Sequence, residues 1–305
     1  MPVLHTILSS RTSRVAATVW PLCLLLAIGL LVAVPRGLAN DGTIATQKIE
    51  IAGLQVAVWI PNQGTPEPWP IIIFSHGFYG CNTQSTFLLR ALAGAGYAVF
   101  APAHRDADCR NLNRWFQPSQ VSFFTPKRWS SATYFDRYQD IEKLLDALSA
   151  DPRYRGTQFD WAHVGLIGHS LGGYTALGVA GAWPQWKDAR VRAVLVLSPY
   201  ALPFMRANTL GGVEVPMMYQ GGTRDWITFF IKERGGAYAE SAAPKYFVEF
   251  KHVGHRGWTD SYSRRHHEEM VSYSEAFLDR YLKGKPIPPG LLKRHRGIAD
   301  LSFEE

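Results

Sequence analysis

Gly168-His169-Ser170-Leu171-Gly172-Gly173 lies between an apolar run, Val164-Gly165-Leu166-Ile167, and a helix-forming stretch that opens with Tyr174-Thr175-Ala176-Leu177. Few structures accommodate an apolar run that ends in a glycine-flanked serine and passes straight into a helix. The run must be a buried strand, the turn must be tight, and the helix must fold back along the strand. Glycines two positions before and after Ser170 let the neighbouring backbones approach without Cβ atoms between them. Such a turn lifts the hydroxyl to the carboxyl edge of a sheet, beside a helix N-terminus where negative charge is favoured. Ser170 is therefore the candidate nucleophile. The plain alternative, a passive serine in a glycine turn, would not call for a strand and a helix on either side.

The rest of the chain supplies the sheet that this turn needs. After residue 45, short apolar runs alternate with helical patterns, which argues for a mostly parallel central sheet with helices on both faces. Lys48–Ile51 and Gln55–Ile60 read as an antiparallel pair joined around Gly53. Ile71–Ser75, Tyr97–Ala101, His163–Gly168, Val191–Ser198, Val215–Gln220 and Lys245–Phe250 read as buried strands. Helices are expected over Thr86–Ala95, Tyr134–Ser149, Leu171–Ala182, Glu233–Glu240 and Ser261–Leu282, with a loosely packed or frayed tail after Lys283. The stretch between Ser198 and Val215 is short, so no large cap domain is expected.

Two further residues fall where a serine nucleophile needs partners. Asp225 follows the run Val215–Gln220 through Gly221-Gly222-Thr223-Arg224, and His255 follows the run Lys245–Phe250. Each stands at the carboxyl end of an expected strand, in the order serine, acid, histidine. His255 would take the Ser170 proton and return it to the leaving group, and Asp225 would orient the imidazole. Asp260 and His252 are the weaker rivals. His266 and His267 are expected on the surface of the closing helix. His252-x-x-His255 lacks a matching Cys or carboxylate cluster, so no metal site is read from it. Ser75-His76-Gly77-Phe78 follows the strand Ile71–Phe74. The loop at that place and the residue after the nucleophile can each offer a backbone N–H to an oxyanion, which assigns Phe78 and Leu171 as donors. His76 reads as a loop-packing residue.

About thirty residues separate the strand ending near Pro102 from the helix starting near Tyr134, which is long for a connection inside a compact domain. They carry Trp115, Phe116, Phe123, Phe124 and Trp129, assigned to an acyl pocket or, alternatively, to a satellite cluster over the sheet edge. Cys81 lies in the oxyanion loop and Cys109 in the loop after the next strand, at the same edge of the sheet. A disulfide between them would pin the mouth of the site.

At the N-terminus, Arg11 and Arg14 precede an apolar run from Val15 to Val34, and Gly37-Leu38-Ala39 follows. This pattern reads as a secretory signal over residues 1–39, cleaved after Ala39, and an exported hydrolase domain over residues 40–305. The alternative is a membrane anchor formed by residues 15–34. Removing residues 1–39 takes away Arg11, Arg14 and Arg36 and no acidic residue, so the net charge falls from +7 to +4. That balance is mild, and no nucleic-acid partner is read from it.

Several stretches together resemble the dienelactone-hydrolase-like branch of the α/β hydrolases, and within it the serine esterases similar to platelet-activating-factor acetylhydrolase. They are Phe74-Ser75-His76-Gly77, Gly96-Tyr97-Ala98-Val99, Pro102-Ala103-His104-Arg105-Asp106, Gly168-His169-Ser170-Leu171-Gly172-Gly173, Leu197-Ser198-Pro199-Tyr200, Gly222-Thr223-Arg224-Asp225 and Gly254-His255. The resemblance implies the α/β-hydrolase fold and a serine esterase without cofactor, with nucleophile, acid and base at Ser170, Asp225 and His255. Ser170 stands where true dienelactone hydrolases carry cysteine, and His76-Gly77-Phe78-Tyr79-Gly80-Cys81 is bulkier than the family's glycine-rich loop. The expected activity is hydrolysis of small or medium carboxylic esters through an acyl-enzyme. Alternatives are an acyltransferase or amidase on the same residues, or a non-catalytic binding protein that keeps the fold.

Overall fold

In the structure, a computed structural model, residues 44–109, 118–262 and 264–305 are described. Their strands are β1 (Gln47–Ile51), β2 (Leu54–Trp59), β3 (Trp69–Ser75), β4 (Ala98–Pro102), β5 (Phe159–His169), β6 (Val191–Leu197), β7 (Met217–Gly222), β8 (Lys245–Phe250) and β9 (Ile298–Glu304). Their helices are α1 (Thr86–Gly94), α2 (Phe135–Ala150), α3 (Leu171–Leu177), α4 (Leu202–Ala207), α5 (Trp226–Lys232), α6 (Ala237–Glu240) and α7 (His267–Leu282).

The strands form one sheet in the order β1-β2-β4-β3-β5-β6-β7-β8-β9. Pairing is parallel from β4 through β8, and antiparallel for β1 with β2, β2 with β4 and β8 with β9. Strand alternation sorts the core into two layers. On one face, Ile71 and Ile73 of β3, Leu166 of β5 and Val194 and Val196 of β6 pack with Leu144 and Leu148 of α2 and Tyr174 of α3. On the other, Ile72 and Phe74, Ile167, and Ala193 and Leu195 pack with Leu88 and Leu92 of α1 and Phe277 and Leu278 of α7. This is the expected α/β architecture, and the segment between β6 and β7 holds only α4 and a single 3₁₀ turn, with no cap domain.

Three local expectations change. Of the helix expected over Glu233–Glu240 only Ala237–Glu240 forms, as α6, and an unexpected helix, α5, precedes it, its N-terminus capped by Asp225, which accepts from the Ile227 N–H at 3.1 Å. Gly235, at φ +78°, then turns the chain ahead of the short α6. The stretch Ser261–Leu282 becomes regular helix only at His267, after a 3₁₀ turn over Arg264–His266. The tail does not fray, because β9 adds an antiparallel edge strand to β8 and stacks Phe303 on Tyr246. The segment read as a signal or anchor lies outside the described residues.

Candidate active site

Ser170 sits between the end of β5 and the start of α3 with φ 56° and ψ −116°, a strained backbone for a residue with a side chain. Close approach explains its neighbours. A Cβ on Gly168 would stand 2.1 Å from the Gly172 carbonyl oxygen, and one on Gly172 would stand 1.9 Å from that of Ser75. Only glycine allows the turn to be this tight. Further packing comes from β6, since the Ser170 N–H donates to the Leu197 carbonyl at 3.0 Å.

The structure brings Ser170, Asp225 and His255 together. His255 Nε2 lies 2.9 Å from Ser170 Oγ, and His255 Nδ1 lies 3.2 Å from Asp225 Oδ2. A residue that the sequence reading did not single out completes the arrangement. Ser198, at the end of β6, donates its hydroxyl proton to Asp225 Oδ2 and stands 2.8 Å from His255 Nδ1. The tautomer that satisfies all these contacts carries its proton on Nδ1, shared between Asp225 and Ser198, and leaves Nε2 to accept from Ser170. Burial works against the Asp225 carboxylate, but hydrogen bonds from His255 and Ser198 outweigh it and hold its pKa below the usual carboxylate range.

Ser170 opens onto a cavity of about 540 Å³ whose walls come from the loop after β3 and the loop after His255. Phe78 lines it, and Leu171 is the first residue of α3, where the N–H has no intrahelical acceptor. Cys81 and Cys109 form a disulfide at its rim. Gln84 ties the two halves of the floor, accepting from the Gly77 N–H at 3.1 Å and donating to His169 Nδ1 at 3.0 Å. His169 Nε2 donates to the His255 carbonyl at 2.8 Å. Burial, with the neighbouring His255, lowers its pKa to about 3, so it stays neutral while it braces that loop.

Of the aromatic residues assigned to an acyl pocket, Phe123, Phe124 and Trp129 do not line this cavity. Trp129 is 5% exposed and packs on Phe123, Tyr134, Tyr174 and Tyr200, the arrangement of a satellite cluster. Phe124 is 88% exposed, so it walls nothing among the described residues. Phe123 stands one layer back, its ring 5.3 Å from that of Phe78. Trp115 and Phe116 lie outside the described residues. The rivals find other partners. Asp260 accepts from the Thr86 and Phe87 N–H groups at the start of α1. His252 is exposed, and its own N–H donates to Thr223 Oγ1 at 2.8 Å. His266 is buried rather than on the surface, beside Phe250, and His267 stacks on Phe87 at 3.6 Å. Among the described residues no group of three or more His, Cys, Asp or Glu side chains could hold a metal ion.

A family model described as the alpha/beta hydrolase family matches residues 72–296. A curated relative, a platelet-activating factor acetylhydrolase from Cavia porcellus, is 25% identical over 175 residues, which cover 48% of this chain and 38% of that protein. This chain therefore spans well under half the length of that relative. The matched model covers most of the sheet and the strand ends that carry Ser170, Asp225 and His255, and the chain belongs to the alpha/beta hydrolase family.

Proposed function

We propose that this hydrolase cleaves small or medium carboxylic esters through an acyl-enzyme on Ser170. The observation that carries the reading is the contact of Ser170 Oγ with His255 Nε2 at 2.9 Å, with Nδ1 of the same ring on Asp225 and the hydroxyl facing a cavity. Ser170 Oγ attacks the ester carbonyl carbon as His255 takes its proton, and the carbonyl oxygen becomes an oxyanion that accepts from the Phe78 and Leu171 N–H groups. His255 then passes the proton to the departing alkoxide. Water, activated by the same ring, attacks the acyl-enzyme and releases the acid. The name of the relative from Cavia porcellus supports an acyl-ester substrate.

The test is hydrolysis of a chain-length series of nitrophenyl esters by the chain from Asn40 onward, beside Ser170→Ala. Turnover that disappears in the variant supports the reading; turnover that persists, or none in folded wild-type protein, removes it.

We also propose that the chain is exported and cleaved after Ala39. The Cys81–Cys109 disulfide suits an oxidising compartment. Mature protein isolated without reductant should show no free thiol, and labelling of both cysteines would withdraw that support.

A further inference from the structure

The loop that carries Phe78 crosses over a buried arginine. Arg137, on α2, is 1% exposed, and its guanidinium makes five hydrogen bonds, matching its five N–H donors. Nε and Nη2 hold the two carboxylate oxygens of Asp106 at 3.1 and 2.8 Å. Nη1 donates to the His76 carbonyl at 2.8 Å and to Ser75 Oγ at 3.3 Å, and Nη2 reaches the Gly77 carbonyl at 3.3 Å. The Gly77 carbonyl accepts twice more, from His76 Nδ1 at 2.7 Å and from the Gly80 N–H at 2.9 Å.

That carbonyl shares a peptide plane with the Phe78 N–H. In a trans peptide the C=O and N–H point in opposite directions. Three donors that hold the Gly77 oxygen toward the interior therefore turn the Phe78 N–H the other way, and Phe78 lines the cavity of Ser170. The preceding plane is held at both ends as well, since the Gly77 N–H donates to Gln84 Oε1.

A second tier fixes the protons. Asp140 Oδ2 accepts from His104 Nδ1 at 2.8 Å, which leaves His104 Nε2 bare. Nε2 therefore accepts the Ser75 hydroxyl proton at 2.8 Å, while Ser75 Oγ accepts from Arg137. The His104 N–H donates to His76 Nε2 at 3.0 Å, which leaves the His76 proton on Nδ1, the atom that binds the Gly77 carbonyl. A buried ion pair is a weak source of stability, because desolvation offsets its attraction. Geometry is the better account of Arg137 and Asp106.

We propose that Arg137, held by Asp106, is the positioning residue of the oxyanion hole: it sets the Gly77–Phe78 peptide so that the Phe78 N–H faces the reacting carbonyl oxygen. The inference rests on the serine-hydrolase reading above. Lysine cannot replace this arginine, since an ammonium offers three donors from one point where the loop uses a planar fork.

The test compares a nitrophenyl ester with its thionoester in wild type and Arg137→Lys, in the chain from Asn40 onward. Sulfur is the poorer hydrogen-bond acceptor, so a misplaced N–H should slow the oxygen ester more. Arg137→Lys should lower kcat for the oxygen ester by on the order of 100-fold, with KM within about 3-fold, and lower the thionoester rate by less than about 10-fold. Equal losses on both substrates, or an unchanged oxygen-ester kcat, overturn the proposal. If Arg137→Lys does not fold, Asp106→Asn keeps the side-chain volume, loosens the fork and should shift the same ratio in the same direction. A ratio unaltered in the variants, where wild type shows Ser170-dependent turnover, defeats this inference alone, whereas wild type without such turnover defeats the reading beneath it.

Discussion

Two Ser–His–Asp lines run through this molecule. At the open edge of the sheet, Ser170, His255 and Asp225 are linked at 2.9 and 3.2 Å. Behind the loop after β3, Ser75, His104 and Asp140 are linked at 2.8 and 2.8 Å. By distance alone the buried line is the tighter one. Its surroundings differ in every other respect. Ser75 is 3% exposed and its oxygen lies against the Arg137 guanidinium, so no substrate can reach it. The His255 side chain is 32% exposed and Ser170 opens onto a cavity. Spacing makes a hydrogen-bonded relay; a nucleophile also needs access, a free lone pair and donors waiting for the oxyanion.

Removing each serine should break the comparison most sharply. Ser170→Ala should lower kcat by on the order of 10⁵-fold and leave the melting temperature nearly unchanged. Ser75→Ala should do the reverse, costing about 1–3 kcal/mol of stability for the buried partners it leaves and slowing turnover by no more than about 10-fold. Ester kinetics and chemical denaturation on both variants measure this. Comparable rate losses would mean that the buried line takes part in the chemistry.

Acid should next test the buried rings that brace both regions. Burial pushes His76 and His104 well below 6.5, with the Arg137 charge adding to it, and burial takes His169 to about 3. These rings are neutral when folded, while the unfolded chain protonates them near 6.5. Below that pH the unfolded state binds more protons, so stability falls as pH falls, by up to about 1.4 kcal/mol per pH unit for each ring. Asp140, raised to about 6 from 3.8 by burial, works the other way between those values and offsets about one ring. The net expectation is that stability falls as pH drops below about 6.5, read from urea midpoints across that range. A flat profile would mean that the buried rings are charged in the folded protein, and the hydrogen-bond directions assigned to them would be wrong.

Legibility in the sequence followed how local each signal is. Gly168 and Gly172 declare the nucleophile turn because the contacts that demand glycine lie within a few residues, or against β3. Asp225 and His255 are readable from their order and from the strands before them. Ser198 follows a buried strand inside a family-like stretch that assigns it no role, and its partnership depends on β6 lying beside β7, which only the sheet order reveals. The strand β9 was hidden for another reason: Asp300, Ser302 and Glu304 look like tail, and edge pairing there runs through backbone groups that carry no sequence pattern. Trp129 shows the limit of composition. Its bulk announces burial, but not whether the neighbours will be a ligand or Tyr174 and Tyr200.

The smallest expected effect isolates what the open line has and the buried one lacks. Asp225 is held by Ser198 and by the Ile227 N–H as well as by His255, whereas Asp140 Oδ2 meets His104. Ser198 also meets His255 Nδ1, so it steers the ring that must accept the Ser170 proton. Ser198→Ala leaves Asp225 with two of these three donors and lets the imidazole swing on the Asp225 contact alone. The loss should be close to one hydrogen bond to a charged group, about 1.5 kcal/mol or roughly 10-fold in kcat, with KM little changed. Because Ser198 supports the Asp225 carboxylate, any acid limb of kcat that reports Asp225 should also move to higher pH in the variant. A pH–rate profile beside wild type reads both. An unchanged kcat and an unmoved limb would show that the Asp225–His255 contact holds the ring by itself, as the Asp140–His104 contact does in the buried line.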